Sequence, residues 1–572
     1  MRKIYLIAAM LLCFVGPARA FELTVLHVND SHSYLDATDE TLSPGGERVV
    51  ARLGGWARLA TAVDRVRREK PNVVLLHAGD AVQGGLYFRE FGGEPEMRLL
   101  DRLGFDAMVL GNHEFDKGAE FLAGFLRDTD VPVLAANVSA PGVPALAARL
   151  RPYVILFVGG ERVGVVGLTT GDTKFTSSPG PGVSFADEAA TARARVAELT
   201  ALGVDKVILL THVGLDNDRK LAAAVPGVDV IVGGHSHTLL GDTRRMESLG
   251  LHPAAAYPVV VQGVDGHDVY IVTAWKWARV LGRLDVTFDR RGRVTGAIGR
   301  SALLLADEFW SRSAQGEPVR LSGAARRQVL NTLEASRVTE AVPESRSVSS
   351  FLAPYARGVE GLYREVIGRA ESDIPHIRVP GRNEAGIDLP DGSLLAPLVA
   401  RSMLDKLAGT GEPADIALMN AGGVRDSLAR GDITVGAVRT LLPFANTLYT
   451  LELTGAVFRQ ALEYGVTRGG GAFPYLAGAR YRADMTRPEG SRITAVEVRD
   501  AAAWRPLEAG RTYRVVTPSF LAGGGDGYGM LKDAPDRYDT GFDDAQAFMD
   551  LVMAASPLSP PGETGVMYIP AQ

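Results

Sequence analysis

Cysteine is almost absent from this chain of 572 residues, and the one present, Cys13, falls in an apolar N-terminal run. Past that run there is no thiol to form a disulfide, bind a metal or act as a nucleophile, so stability rests on packed cores. Long hydrophobic runs are missing too. After Val15 nothing approaches the roughly 18 consecutive apolar residues of a membrane-spanning helix. Positive charge is in deficit, with 61 Lys and Arg against 67 Asp and Glu, which argues against a surface built to bind polymeric nucleic acid. Internal repeats and low-complexity tracts are lacking, which leaves an ordinary globular composition of 46% hydrophobic and 22% charged residues. At this length two or more domains are expected.

The N-terminus has the form of a secretory signal. Arg2 and Lys3 precede the apolar run Ile4 to Val15, and Ala18-Arg19-Ala20 supplies an A-x-A cleavage site. Cleavage is expected after Ala20, giving a periplasmic or secreted chain with no membrane anchor. Loss of Arg2, Lys3 and Arg19 leaves 58 basic residues and a net charge of −9. An anionic substrate must then be attracted locally, by metals or a few arginines.

From Phe21 to about residue 310 short apolar runs alternate with helical patterns. Leu23–Val28, Val73–Leu76, Ala107–Leu110, Val163–Leu168, Val207–Leu210 and Val228–Val232 read as strands, and Trp56–Lys70, Ala119–Leu126 and Ala186–Leu202 as helices. Alternation of this kind predicts an α/β layer architecture, with strands buried on both faces. Residues 311 to 350 are more polar. Phe351–Ile367 then places Leu352, Tyr355, Val359, Leu362 and Val366 on one helical face, weakened by Gly358 and Gly361. We expect a linker helix over 345–367 between a first domain, 21–344, and a second α/β domain, 368–572.

Histidine is scarce at ten residues, yet strand ends are rich in it. Asn29-Asp30-Ser31-His32, Gly79-Asp80, Gly111-Asn112-His113-Glu114-Phe115-Asp116, Thr211-His212 and Gly233-Gly234-His235-Ser236-His237 each follow a predicted strand. Loops beyond strand carboxyl ends converge in open α/β sheets. Asp30-x-His32 alone suits a capped turn and His212 alone a core histidine, whereas two imidazoles at i, i+2 after a glycine pair, as in Gly233–His237, rarely serve packing. Together Asp30, His32, Asp80, Asn112, His212, His235 and His237 make three oxygen and four nitrogen donors, a mixed set suited to two divalent transition ions.

In this order the motifs resemble the calcineurin-like metallophosphoesterases, and Asn29-Asp30-x-His32 with Gly111–Asp116 is similar to the secreted 5′-nucleotidase family. The resemblance implies a layered α/β/β/α metallophosphoesterase domain and a smaller α/β nucleotide-binding domain. It implies one metal on Asp30, His32, Asp80 and His237, and a second on Asp80, Asn112, His212 and His235, with zinc, manganese, cobalt or magnesium as the ions. His113 and Asp116 match the family's catalytic dyad.

The second domain carries Asn420-Ala421-Gly422-Gly423-Val424-Arg425, Pro443-Phe444-Ala445-Asn446 and Phe520-Leu521-Ala522-Gly523-Gly524-Gly525-Asp526. Loop phenylalanines are usually packing residues. Two of them beside an arginine and a carboxylate also suit a nucleotide. The family resemblance implies that Phe444 and Phe520 stack on the base, Asn420 and Asn446 meet its edge, Asp526 holds ribose and Arg425 the phosphate. One departure stands out. Where the family has an arginine ahead of Gly-Asn-Leu, this chain has Asp388-Leu389-Pro390-Asp391 before Gly392-Ser393-Leu394, and the nearest upstream arginine is Arg382.

The expected activity is hydrolysis of nucleoside 5′-monophosphates by a monomer or homodimer. Pyrophosphate hydrolysis of UDP-sugars or NAD is an alternative, with Trp275 and Trp277 resembling the NAD-nucleotidase branch. A related thiosulfohydrolase needs no base sandwich, and a non-catalytic nucleotide-binding protein would show a broken metal set.

Overall fold

The computed structural model describes residues 20–571 apart from 313–317, 383–386, 445 and 501–502; the expected leader, 1–19 with Cys13, lies outside the described residues. The first domain is built on two sheets. Phe21–Val28, Val73–His77, Ala107–Val109 and Val133–Leu134 run parallel in an eleven-stranded sheet. Its other half is antiparallel, with Val280–Phe288 against Phe21–Val28 and Val294–Arg312 beyond it. Glu161–Thr169, Val207–His212 and Val230–Gly233 lie adjacent and parallel in a six-stranded sheet.

Strand side chains alternate between two cores. Leu23, Val25, Val74, Leu76 and Val109 point to the other sheet and meet Val163, Val165, Ile208, Leu210 and Val232. Leu26, Val28, Leu75 and Met108 point the opposite way, to the helices Trp56–Glu69, Glu94–Leu103 and Ala119–Phe125. Val166, Leu209 and Ile231 of the second sheet face the helices Glu188–Ala201 and Leu215–Ala224. The result is helix, sheet, sheet, helix, as expected. Each fully buried aliphatic side chain contributes roughly 2 kcal/mol, so the strand ends that carry the polar motifs are held firmly.

The polar stretch after Leu305 is more ordered than its sequence suggests. Val294–Arg312 forms one long strand, and Thr339–Ala341 pairs with Leu303–Leu305 from across the helix Gly323–Ala335. The expected linker helix is shorter than its pattern: it spans Arg346–Leu362, and Val366 belongs to a strand, Val366–Ala370, paired with Gly431–Thr434. Gly358 is there for contact, because a Cβ would lie 2.6 Å from Phe91 Cζ of the first domain. Close approach to a ring outweighs the loss of helix propensity.

The second domain has a five-stranded sheet in which Ile416–Asn420, Thr512–Pro518 and Thr447–Thr454 are central and Tyr538–Asp543 forms one edge. Helices Ala396–Ala408 and Asp544–Ala555 pack on it, and a four-stranded sheet completes the domain. No helix among the described residues is long and apolar enough to cross a membrane.

Candidate active site

After Phe21–Val28, Val73–His77 and Val230–Gly233 the chain turns through the left-handed region. Asp30, His32, Asp80, His235 and His237 all have φ between 47° and 80°, an arrangement that costs a non-glycine residue roughly 1 kcal/mol each. Such turns re-aim consecutive side chains into one spot. The glycines between them leave room: a Cβ on Gly111 would lie 2.1 Å from Asp80 Oδ1.

All seven expected ligands come together, all of them buried. Asp30, His32 and His237 make one group and Asp80, His212 and His235 another. In the first, His32 Nε2 lies 2.9 Å from His237 Nε2 and 3.9 Å from Asp30 Oδ1, and His237 Nε2 lies 3.4 Å from Asp30 Oδ1. In the second, His212 Nε2 lies 2.9 Å from Asp80 Oδ2, and Asn112 Oδ1 lies 2.9 Å from His235 Nδ1. Asp80 Oδ2 is also 3.8 Å from His32 Nε2, so one carboxylate stands between the two groups.

These donors fit divalent cations. His32 Nδ1–H donates to the Gln83 carbonyl at 2.9 Å and His212 Nδ1–H to the Ala78 carbonyl at 2.7 Å. Both rings therefore turn Nε2 inward, where a cation would displace any proton it carries. His212 Nε2 is buried with no hydrogen bond, as is Asn112 Nδ2. Burial lowers His32 and His235 to about 3, keeping them neutral. At His212 burial is outweighed by Asp80, and at His237 by Asp539 and Asp30, so both rise to about 9. Lone pairs and carboxylates aimed at common points are what a pair of cations requires.

The supporting residues come from the same motifs. Asn29 donates to Asp30 Oδ2 and to the Trp275 carbonyl, both at 2.6 Å, and accepts from the Ala274 amide at 2.6 Å. Glu114, for which the sequence suggested only a structural role, accepts amides from Asp80 at 3.0 Å, Ala81 at 2.7 Å and Gly111 at 2.6 Å. It ties two metal loops together. His113 Nδ1–H donates to Asp116 Oδ2 at 2.7 Å, and Ser177 Oγ donates to Asp116 Oδ1 at 2.6 Å. Burial alone would depress His113, but Asp116 and Asp80 outweigh it and raise the imidazole to about 10.

The second domain reaches this centre. Asp539 Oδ2 lies 2.8 Å from His237 Nδ1 and 4.0 Å from Lys276 Nζ, and His113 Nε2–H donates to the Thr540 carbonyl at 3.0 Å. None of these three partners stood out in the sequence, since they are joined only by tertiary contact.

The residues expected to bind nucleotide line a cavity of about 3340 Å³ between the domains, which extends to His237 at the metal centre. Phe444 and Phe520 are 45% and 44% exposed. Arg425 stands over Phe444 at 5.7 Å. Asn420 Nδ2 donates to Asp526 Oδ2 at 2.8 Å. Asn446 Oδ1 accepts from the Phe520 amide at 3.2 Å, and its Nδ2 donates to Asp544 at 3.1 Å, so here its amide braces the loops. Ala445 lies outside the described residues. Arg382 pairs with Asp388 at 3.8 Å, and Arg378, unremarked in the sequence, lines the same cavity beside His376.

Residues 23–239 match the calcineurin-like phosphoesterase model, and residues 366–533 match the 5′-nucleotidase C-terminal domain. A probable 5′-nucleotidase of Treponema pallidum is 37% identical over 93% of this chain and 92% of its own. The structure of Haemophilus influenzae NAD nucleotidase superposes with a TM-score of 0.81 at 32% identity, covering 97% of this chain and all of that one. A 5′-nucleotidase precursor from Thermus thermophilus gives 0.58 at 39% identity, over 96% of this chain and all of its own.

Proposed function

Since the chain belongs to the 5′-nucleotidase family, we propose that it hydrolyses nucleoside 5′-monophosphates to nucleoside and phosphate in the periplasm, with His113 and Asp116 as the dyad. The single observation carrying this reading is the juxtaposition of a seven-ligand centre with a cleft that carries two exposed phenylalanines on the facing domain. Asp30, His32, Asp80 and His237 would hold one divalent cation, and Asp80, Asn112, His212 and His235 the other. Two such cations supply positive charge for phosphoryl oxygens and acidify a water toward neutral pH.

The chain's own groups do the rest. His113, raised to about 10, carries a positive charge across the neutral range. Its Nε2–H would stabilise charge on a phosphoryl oxygen and protonate the departing 5′-oxygen. Asp116 fixes the ring's orientation through Nδ1–H, and Ser177 fixes Asp116. Phe444 and Phe520 would sandwich the base, Asp526 would hold ribose, and Arg425 with Arg378 or Arg382 would face the phosphates. Asn420 and Asn446 would set the base edge, directly or through the loops they brace. We place the domain boundaries near residues 344 and 368.

A second reading keeps the site and lengthens the substrate to a dinucleotide or nucleotide sugar. It is supported by the superposition on an NAD nucleotidase and by a cavity several times the volume of a drug-sized pocket. Trp275 and Arg279 line that cavity near the metal loops.

Phosphate release from AMP, UMP, UDP-glucose and NAD, with added manganese, cobalt, zinc or magnesium, separates these readings. His113→Ala should keep its metals and lose roughly 10²- to 10⁴-fold in kcat. Full activity in that variant would sink the dyad, and silence on every nucleotide would sink the nucleotidase reading.

A further inference from the structure

The edge strand Tyr538–Asp543 is irregular where it meets the first domain. Tyr449 pairs with Asp539 and Thr447 with Asp543, so the edge strand advances four residues while its neighbour advances two. The surplus forms a bulge, which throws the middle of the strand out of the sheet. That bulge lands on the metal centre. Gly541, at φ 71°, comes so near that a Cβ would stand 2.6 Å from His113 Nε2 and 3.3 Å from His32 Cε1. The phenyl ring of Phe542 meets His113 edge-on at 5.5 Å.

Both ends of the bulge are pinned. Asp539 lies between His237 and Lys276 and also accepts from Thr447 Oγ1 at 2.8 Å. At the far end the Tyr34 hydroxyl donates to Asp543 at 2.8 Å, and Arg439 holds the same carboxylate at 2.9 Å. His113 and the metal ligands are buried beneath, while Phe444 and Phe520 remain half exposed.

From this geometry we infer that the bulge 539–542 is an autoinhibitory plug, seated on the centre until the second domain moves, and that substrate phosphate and plug occupy it alternately. The inference rests on the roles proposed for His113 and His237. The reason is one of single occupancy. His113 Nε2 has one hydrogen, and here it is given to the Thr540 carbonyl, so it cannot serve a phosphoryl or leaving oxygen at the same time. The latch residue Asp539 is an anion in the field that would draw a phosphate, so the two compete for the same charge. A nucleotide can therefore dock its base on the exposed rings before the centre opens.

The test uses the mature, metal-loaded chain. With no native thiol in it, cysteines placed at the exposed positions Arg290 and Arg499, one on each domain, give a unique pair of spin labels. Asp539→Asn weakens the latch, and Gly541→Ala obstructs seating while leaving the charge. Both should shift the label-to-label distance, without ligand, toward that of the parent chain with saturating inorganic phosphate. If the plug is seated for about nine-tenths of the time, the phosphate inhibition constant should fall roughly tenfold in either variant. Unchanged distances and unchanged inhibition in both would overturn the plug. Loss of metal with no change of distance would also overturn it, leaving Asp539 as mere support for His237. Inactivity toward nucleotides would reject the proposed function, yet the distance measurement would still judge the plug.

Discussion

The metal centre and the nucleotide cleft solve opposite problems in one chain. In the centre every donor is buried, five of the seven ligands adopt left-handed backbone, and amide bonds to Glu114 and Asn29 tie the loops together. Ten of the thirteen left-handed non-glycine residues belong to the loops that form or brace this centre. Among the six residues expected to bind nucleotide only Asp526 is left-handed, and the aromatic rings stand half in solvent. One region stores strain and desolvation so that its geometry precedes the ligand. The other gains its burial only when the ligand arrives. On the proposed function, strain marks where chemistry is done, and exposure marks where recognition is done.

The sharpest way to break this contrast is at Asp80, whose carboxylate stands between the two ligand groups. Asp80→Ala should lower phosphate release to background and strip both metals, as read by elemental analysis; full metal content in the variant would deny the bridging place of Asp80. A smaller loss is expected at Asp116. Burial works to depress the His113 imidazole, and the Asp116 carboxylate is the strongest of the charges that overcome it. Without that charge the imidazolium titrates at lower pH. Asp116→Asn should therefore move the basic limb of kcat to lower pH and cost roughly 10²-fold at pH 8. An unmoved limb would show that His113 does not titrate in turnover.

On the cleft side, Phe520→Ala should raise KM for AMP by roughly 5- to 150-fold, the equivalent of about 1–3 kcal/mol of base stacking. Its kcat on a simple alkyl phosphate should hardly change. Equal losses on both substrates would mean that Phe520 supports the fold rather than the base.

The smallest effect concerns the cost of the buried side. Glu96 lies under the His32 loop, where burial outweighs its contact with Ser33 and raises it to about 7 from 4.5. The folded chain keeps a proton that the unfolded chain releases, so this group's contribution to stability falls as pH rises through that interval. Glu96→Gln should raise the melting temperature at pH 8, by the equivalent of about 3 kcal/mol at most, and do little at pH 4.5. A gain of equal size at both pH values would refute the ionisation argument.

Much of this was legible in the sequence because it is local. Apolar runs of four to six residues gave the strands, and strand ends carry the ligands within a few residues of the run that positions them. What escaped was set by distance along the chain. The contact of Asp539 with His237 spans some three hundred residues, and Thr540 offers only its backbone to His113, which no side-chain pattern can announce. Val294–Arg312 was not read as a strand, because polar residues interrupt its apolar positions and its outer end is held by pairing with Val49–Leu53 and 318–320. The helix Arg346–Leu362 ran too long in the sequence because Val366 continues an apolar spacing that a strand, with backbone bonds from Val435 and Gly436 nearby, in fact uses.

The bulged strand has one more consequence. Whenever it leaves the first domain, the five-stranded sheet is left with an uncovered edge, the kind of surface on which chains add to one another and precipitate. This edge is poorly suited to that. Asp539 and Asp543 place carboxylates along it, and Gly541 and the irregular register break its row of backbone donors and acceptors. The features that let the strand fit the centre also keep the second domain from sticking to its neighbours while the centre is open.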